Sequence, residues 1–317
     1  MQQNAQLDKD LYPVLKELQD RKALEHLVLI GGQAFNCYYY TFKESTLRPK
    51  STTDADFLIP HPHRKIRGHV NIHDILTGMG FSERKTDWHH RILSYEKDKF
   101  DVEFIYPAFK ESHGRTEPIP SLGINAVALN YHQGYSKYRM EVTYRDVRFF
   151  IPEPEAFLFV KYITSQQRRS IEKKMKDLDT AQSMALFVAA SEERMSRLVV
   201  ILNDTEVIPY AWKKKFFSII EKQVPDFHKK VLLLDGQYTV KQYGEKTGKT
   251  FSAKELRALA QAEAALRKGN FEKYRERIYE AVLEGKDVSR MTLFVNHELT
   301  NQRRAKATKI SKEKGTP

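Results

Sequence analysis

Cysteine is nearly missing from this 317-residue sequence, which has only Cys37. A single cysteine excludes an intramolecular disulfide framework and a cysteine-cluster zinc site, and it agrees with a reducing compartment. Cys37 lies in "AFNCYYY" and reads as a packed helix residue rather than a nucleophile. Long apolar runs are also missing: nothing approaches the ~18 uninterrupted residues that a membrane helix needs. The N-terminal "MQQNAQLDKDLYPVLKELQDRK" has neither the charge order nor the apolar block of a secretory signal. A soluble, cytoplasmic protein with no membrane association is the expectation, and no internal repeat points to a solenoid. What the chain does have is 41% hydrophobic residues, enough for a normal core in one large or two ordinary domains.

The net charge of +12 is unevenly placed, with about +10 of it contributed from residue 151 onward. A bias of that kind favours a polyanionic partner, nucleic acid or an acidic protein, and serves solubility equally well.

The hydrophobic pattern divides the chain at Pro152. Before it, an amphipathic helix over 8–23 is followed by a strand "HLVLI", a turn at Gly31-Gly32, an apolar helix "QAFNCYYYTF" and a strand "DADFLI". A helical stretch over 66–81 and short strands in "FSERK", "RILSYE" and "KFDVEFIYP" come next, and 124–151 is again strand-like. Beyond it the pattern is helical, opening at "PEPEAFLFVKYITSQQRRS", with a linker or small hairpin expected over 233–252. The expected fold class is α+β: a mixed-sheet domain over 1–151, a mostly helical domain over 152–300, and a basic tail over 301–317 that is flexible when alone.

The chemistry begins at "STTDADF", residues 51–57. Side chains i and i+2 of a strand share a face, so Asp54 and Asp56 point at one spot. Two carboxylates held close repel and resist desolvation, and the pair calls for a cation. Mg²⁺ is the natural answer, because it prefers a few carboxylates together with substrate phosphates. In "FDVEFIYP", Asp101 and Glu103 again share a face, and either could supply the third acid of a two-metal site.

Taken in order, "LIGGQAF", "KSTTDADF" and "VEFIYP" resemble the DNA polymerase β-type nucleotidyltransferase superfamily, whose pattern is an hG[GS] turn, a DxD on the next strand and a later third acid. The closest resemblance is to prokaryotic AbiEii-like and related stand-alone nucleotidyltransferases, in which a [RK]xTxDxDF string is typical; Lys50, Thr52, Asp54, Asp56 and Phe57 match it. The resemblance implies that Asp54, Asp56 and Glu103 are catalytic and hold two Mg²⁺ ions, with Glu103 preferred over Asp101. It further implies that Gly31, Gly32, Lys50, Thr52 and Lys161 hold the NTP. Arg168 or Arg169 and Lys176-Asp177 fall where a following R…KD…A pattern is expected, with Asp177 read as structural. Two residues depart from the family pattern: Gly32 stands where serine is frequent, leaving backbone amides for the phosphates, and Glu103 lengthens the third acid.

The implied reaction is transfer of a nucleoside monophosphate from NTP to an acceptor hydroxyl. RNA, with tRNA among the candidates, is the favoured acceptor, and the resemblance admits a toxin role with an antitoxin protein as partner. The alternative is a module that kept the fold, lost the chemistry, and binds nucleic acid or a protein. The histidines of "PHPHR" and "DWHHR" lack a fixed ligand spacing and read as loop residues. In "WKKKFF", Trp212 and Phe216 have the spacing of core residues, although mixed basic and aromatic side chains also occur on single-strand-binding surfaces.

Overall fold

The computed structural model describes residues 7–64, 66, 70–85, 92–108, 113–269 and 274–285. The basic tail over 301–317 and the "DWHHR" histidines lie outside these residues. Two compact units are present, Met1–Val224 and Pro225–Pro317.

The first unit is built on a mixed sheet of nine strands: β1 (Val28–Ile30), β2 (Asp54–Leu58), β3 (Ser82–Lys85), β4 (Ile92–Lys97), β5 (Phe100–Pro107), β6 (Thr116–Ile119), β7 (Ile124–Leu129), β8 (Arg139–Tyr144) and β9 (Val147–Pro152). The main path runs β3-β4-β5-β2-β1-β9-β8, with β7 pairing the far half of β5 and β6 pairing β7. The central strands are too apolar to face water. Val28, Leu29, Ala55, Phe57, Val102 and Phe104 are almost fully buried, each large side chain contributing ~1.5–3 kcal/mol. Phe57 and Phe104 stack at 5.9 Å on the face opposite the acids.

The helices of this unit are α1 (Tyr12–Asp20), α2 (Gly31–Phe42), α3 (Ile72–Gly78), α4 (Gln133–Lys137), α5 (Pro154–Ser165), α6 (Ile171–Ala189), α7 (Glu192–Leu202) and α8 (Tyr210–Gln223), of which α2 packs on β1 and β2, and α1 and α4 on β9. Their starts follow from local chemistry. Pro154 opens α5, while Ser170 and Ser191 accept the Lys173 and Arg194 amides at the heads of α6 and α7. Helices α5 to α8 pack within the same unit as the sheet.

Three expectations are corrected. The 66–81 helix is confined to Ile72–Gly78, where Asn71 caps it by accepting the Asp74 amide. The strand-like 124–151 stretch is interrupted by α4. The linker or hairpin expected over 233–252 is for the most part a 23-residue helix, α9 (Pro225–Thr247), packed in the second unit with α10 (Ala253–Gly269) and α11 (Arg275–Leu283). Within α9, Gly236 and Gly244 each permit close backbone approach. A Cβ on Gly236 would come within 2.5 Å of the Ala260 carbonyl oxygen, and one on Gly244 within 2.6 Å of the Lys249 carbonyl oxygen. Contact of that kind offsets the ~1 kcal/mol that a mid-helix glycine costs. Val240, Leu259, Leu266 and Ile278 form the small core of this unit.

Candidate active site

Strand register decides where the acids sit. Ile30 of β1 pairs with Asp56, and Asp56 pairs with Glu103 across the parallel β2–β5 ladder, as Asp54 does with Asp101. Residues paired across a ladder share a face, so all four carboxylates lie on one side of the sheet. Asp56 and Glu103 line both of two adjoining cavities of about 260 and 230 Å³. Asp54 lines the smaller one, and Asp101 lines neither.

The turn at the end of β1 is shaped around these acids. Gly31 has φ +69°, in the left-handed region, and a Cβ there would meet Asp56 Oδ2 at 2.1 Å. Only glycine lets the chain turn into α2 with a carboxylate lying against it. Gly32 is packed under Thr52, whose hydroxyl would stand 2.9 Å from an added Cβ. Thr52 in turn donates its hydroxyl to Asp54 Oδ1. The segment before β2 is anchored to α2 by Asn36, which exchanges hydrogen bonds with the Lys50 backbone at 2.8 and 2.9 Å.

Cations converge on the smaller cavity. Lys50, Lys161, Arg168, Lys173 and Lys176 all line it. Lys50 is paired with Asp179, donates to the Thr180 hydroxyl at 3.0 Å, and lies 5.3 Å from the centroid of the Phe35 ring. Lys161 does not project freely into the cavity. It donates at 2.8 Å to buried Asp177, which also accepts from Arg168 at 2.7 Å. Burial pushes the Asp177 carboxyl up, but the two cations outweigh it and hold the group below the usual carboxylate range. Asp177 is thus the buried anchor that positions two cavity-lining cations.

The acids lack such compensation. Asp56 is pushed up to about 7, first by burial and then by Asp54 and Glu103, with Lys161 and Arg168 opposing. It keeps some surface toward the cavities yet is otherwise enclosed by protein, and the enclosure is what raises it. Glu103 is raised by burial and by Asp54 and Asp101, and Asp101 by burial and Glu96. Among the described residues no three acidic, histidine or cysteine side chains are gathered tightly enough to form a ready-made metal cage. The donor set nevertheless fits a hard divalent cation. Carboxylate oxygens crowded on one face, one of them driven toward neutrality by burial and by its neighbours, are the hard anionic donors that such a cation neutralises.

The larger cavity shares Gly31, Asp56, Glu103, Lys161 and Arg168 with the smaller one and differs in the rest of its wall. Ile30, Ile105, Leu129 and Val160 supply apolar wall, and Asn130, His132, Thr164 and Gln167 supply uncharged polar groups. None of these polar residues carried a recognisable signal in the sequence, since isolated Asn, Thr and Gln have no spacing to read. Arg168 rather than Arg169 lines the cavities. His61 and His63 are exposed and line neither cavity. Cys37 is buried, with its thiol pushed up to about 12.

A known family matches the same region of the chain. A family model described as nucleotidyltransferase matches residues 9–201. The crystal structure of an antigenic nucleotidyltransferase-like protein from Paracoccidioides brasiliensis aligns with 69% of this chain and 90% of that one, at 16% identity and a TM-score of 0.40. No curated protein matches the sequence. With the family match spanning more than half of the chain and containing the glycine turn and the paired acids, this protein belongs to the nucleotidyltransferase family.

Proposed function

We propose that the protein is an active nucleotidyltransferase that moves a nucleoside monophosphate from an NTP to an acceptor hydroxyl, with RNA as the acceptor class. The observation that carries this reading is the Asp56–Glu103 register, which sets two acids, together with Lys161 and Arg168, at the junction of a cavity lined by further lysines and one whose remaining wall is apolar and uncharged polar. The cation-lined cavity suits the triphosphate. Backbone amides at the head of α2, behind the Gly31-Gly32 turn, offer hydrogen bonds to phosphate oxygens, and the helix dipole adds to them. Lys50 and Lys161, held by Asp179 and Asp177, neutralise phosphate charge without having to be ordered on binding. Thr52 orients Asp54. Asp54, Asp56 and Glu103 would hold two Mg²⁺ ions, which when bound neutralise the acids and polarise the reacting oxygens. The chain's own contribution is positioning and charge placement, the usual basis of phosphoryl transfer. RNA as acceptor is supported by the basic excess beyond residue 151.

The test is incubation with Mg²⁺, each of four labelled NTPs and total cellular RNA, beside Asp54→Ala and Asp56→Ala proteins. Label on RNA only with the intact acids is the expected result. Label appearing equally with the variants would refute the assignment, and label on protein instead would move the acceptor to a protein side chain.

A further inference from the structure

The larger cavity opens beside the loop Asn130–His132, and that loop alternates in direction. Asn130 and His132 are buried and line the cavity. Tyr131 between them has φ +70° and is half-buried, its ring 4.4 Å from that of Trp212 at the start of α8. Lys215 lies 5.4 Å from the centroid of the Tyr131 ring, and Lys214 beside it is exposed. A left-handed conformation is costly for a tyrosine. Here it sends the aromatic ring away from the cavity that its two neighbours enter. Trp212 is half-buried, unlike Phe216 one turn later, which is completely buried. The basic and aromatic string "WKKKFF" is therefore divided: Phe216 serves the core, while Trp212 and Lys215 meet Tyr131 near the surface.

Away from the Lys161 and Arg168 side that it shares with the smaller cavity, the wall has the chemistry of a nucleoside site. His132 donates Nδ1–H to the Asn130 carbonyl oxygen at 2.7 Å, since a carbonyl can only accept. Burial pushes this imidazole down to about 4, so it is neutral and its other ring nitrogen is an acceptor. Asn130 Oδ1 is buried and has no hydrogen-bond partner among the described residues. Beyond Asp56, Glu103, Lys161 and Arg168, which it shares with the smaller cavity, the wall offers these two acceptors between apolar side chains, which matches the N–H groups and flat faces of a base.

We propose that this cavity and the Tyr131–Trp212 pair form the acceptor seat for a single-stranded RNA 3′ end. The terminal nucleoside occupies the cavity beside Asp56 and Glu103, and the preceding base stacks on Tyr131 and Trp212, with Lys215 near its phosphate. The inference rests on the transferase reading above and specifies its acceptor. In the transfer step the terminal ribose oxygen bonds to the α-phosphorus, the bond from that phosphorus to the bridging oxygen breaks, pyrophosphate leaves, and the hydroxyl proton passes to a carboxylate at the cavity floor.

The test is fluorescence anisotropy with a 5′-labelled ten-nucleotide single-stranded RNA on the full chain, comparing wild type with Tyr131→Ala, Trp212→Ala, Trp212→Phe and Asp54→Ala, together with NMP transfer kinetics on the same oligonucleotide. Loss of a stacking partner is expected to weaken RNA binding about 5- to 150-fold. Trp212→Phe should restore most of it, and KM for RNA should rise while KM for NTP stays unchanged. Folded Tyr131→Ala and Trp212→Ala proteins that bind RNA like wild type would overturn the seat, as would a wild type that binds no RNA. The two readings fail separately. RNA binding that depends on Trp212 without any transfer removes the catalytic reading and leaves the seat standing, whereas transfer to RNA that ignores both aromatic residues removes the seat alone.

Discussion

Replacing Asp56 with asparagine is expected to stabilise the metal-free protein while abolishing its chemistry, and the size of the gain follows from the crowded acids. The Asp56 carboxyl titrates near 7 when folded, against 3.8 when unperturbed. Below about pH 4 both states carry the proton and the residue has no effect on stability. Between about pH 4 and 7 the unfolded chain ionises while the folded one retains its proton, so stability falls as pH rises; above 7 the penalty is constant. Three units at ~1.4 kcal/mol each set a ceiling of ~4 kcal/mol, and the surface that Asp56 keeps toward the cavities reduces this to ~2 kcal/mol. In a unit of this size that corresponds to a rise of roughly 4–8 °C in Tm. Thermal unfolding of wild type and Asp56→Asn in EDTA at pH 5 and pH 8 checks it: the variant should melt higher at pH 8, and the gap at pH 5 should be less than half as large. Added Mg²⁺ should raise the wild-type Tm more than that of the variant. A variant that melts lower at pH 8, or a gap independent of pH, would refute the account of the site as an uncompensated acid cluster.

Gly31→Ala should reduce NMP transfer at least tenfold and destabilise the fold by ~1–3 kcal/mol, because its Cβ would occupy the position of Asp56 Oδ2 and its backbone is left-handed; transfer rates and urea unfolding measure the two effects. Asp177→Ala leaves Lys161 in a largely buried position without its anchor and should cost ~3–5 kcal/mol, read by denaturant midpoint, with Asp177→Asn expected to retain more stability. Cys37 should resist a thiol reagent at pH 8 in the native protein and react once it is unfolded, since it is buried with its thiol raised to about 12; fast native labelling would contradict its placement. In the second unit, Gly236→Ala should destabilise by ~1–3 kcal/mol through collision with the Ala260 backbone, measurable by calorimetry, although alanine is intrinsically the better helix former.

Much of this protein was legible along the chain because its signals are local. Alternation in "DADF" and "FDVEF" is enough to put Asp54 with Asp56, and Asp101 with Glu103, each pair on one face, since strand geometry leaves no other choice. Gly31 between a strand and an apolar helix is likewise a local fact, and the structure adds only the neighbour that demands it. Where an element reads differently along the chain, the missing information is tertiary packing. The 233–252 stretch reads as a linker or hairpin because the close approach of Ala260 to Gly236 is not visible in that stretch's own sequence.

By itself, then, the sequence determined the order of turn, acid pair and third-acid strand, and with it the α+β class and the family resemblance, because each depends on residues within one or two elements. Tertiary structure alone decided which acids meet and what surrounds them. The β2–β5 register brings Asp56 to Glu103, the α5–α6 packing ties Lys161 and Arg168 to Asp177, and the turn after β7 places Asn130 and His132 beside the acids. Register and helix packing are set by burying apolar faces far apart in the chain, here Phe57 against Phe104, and the polar groups carried on the opposite faces go where that burial sends them.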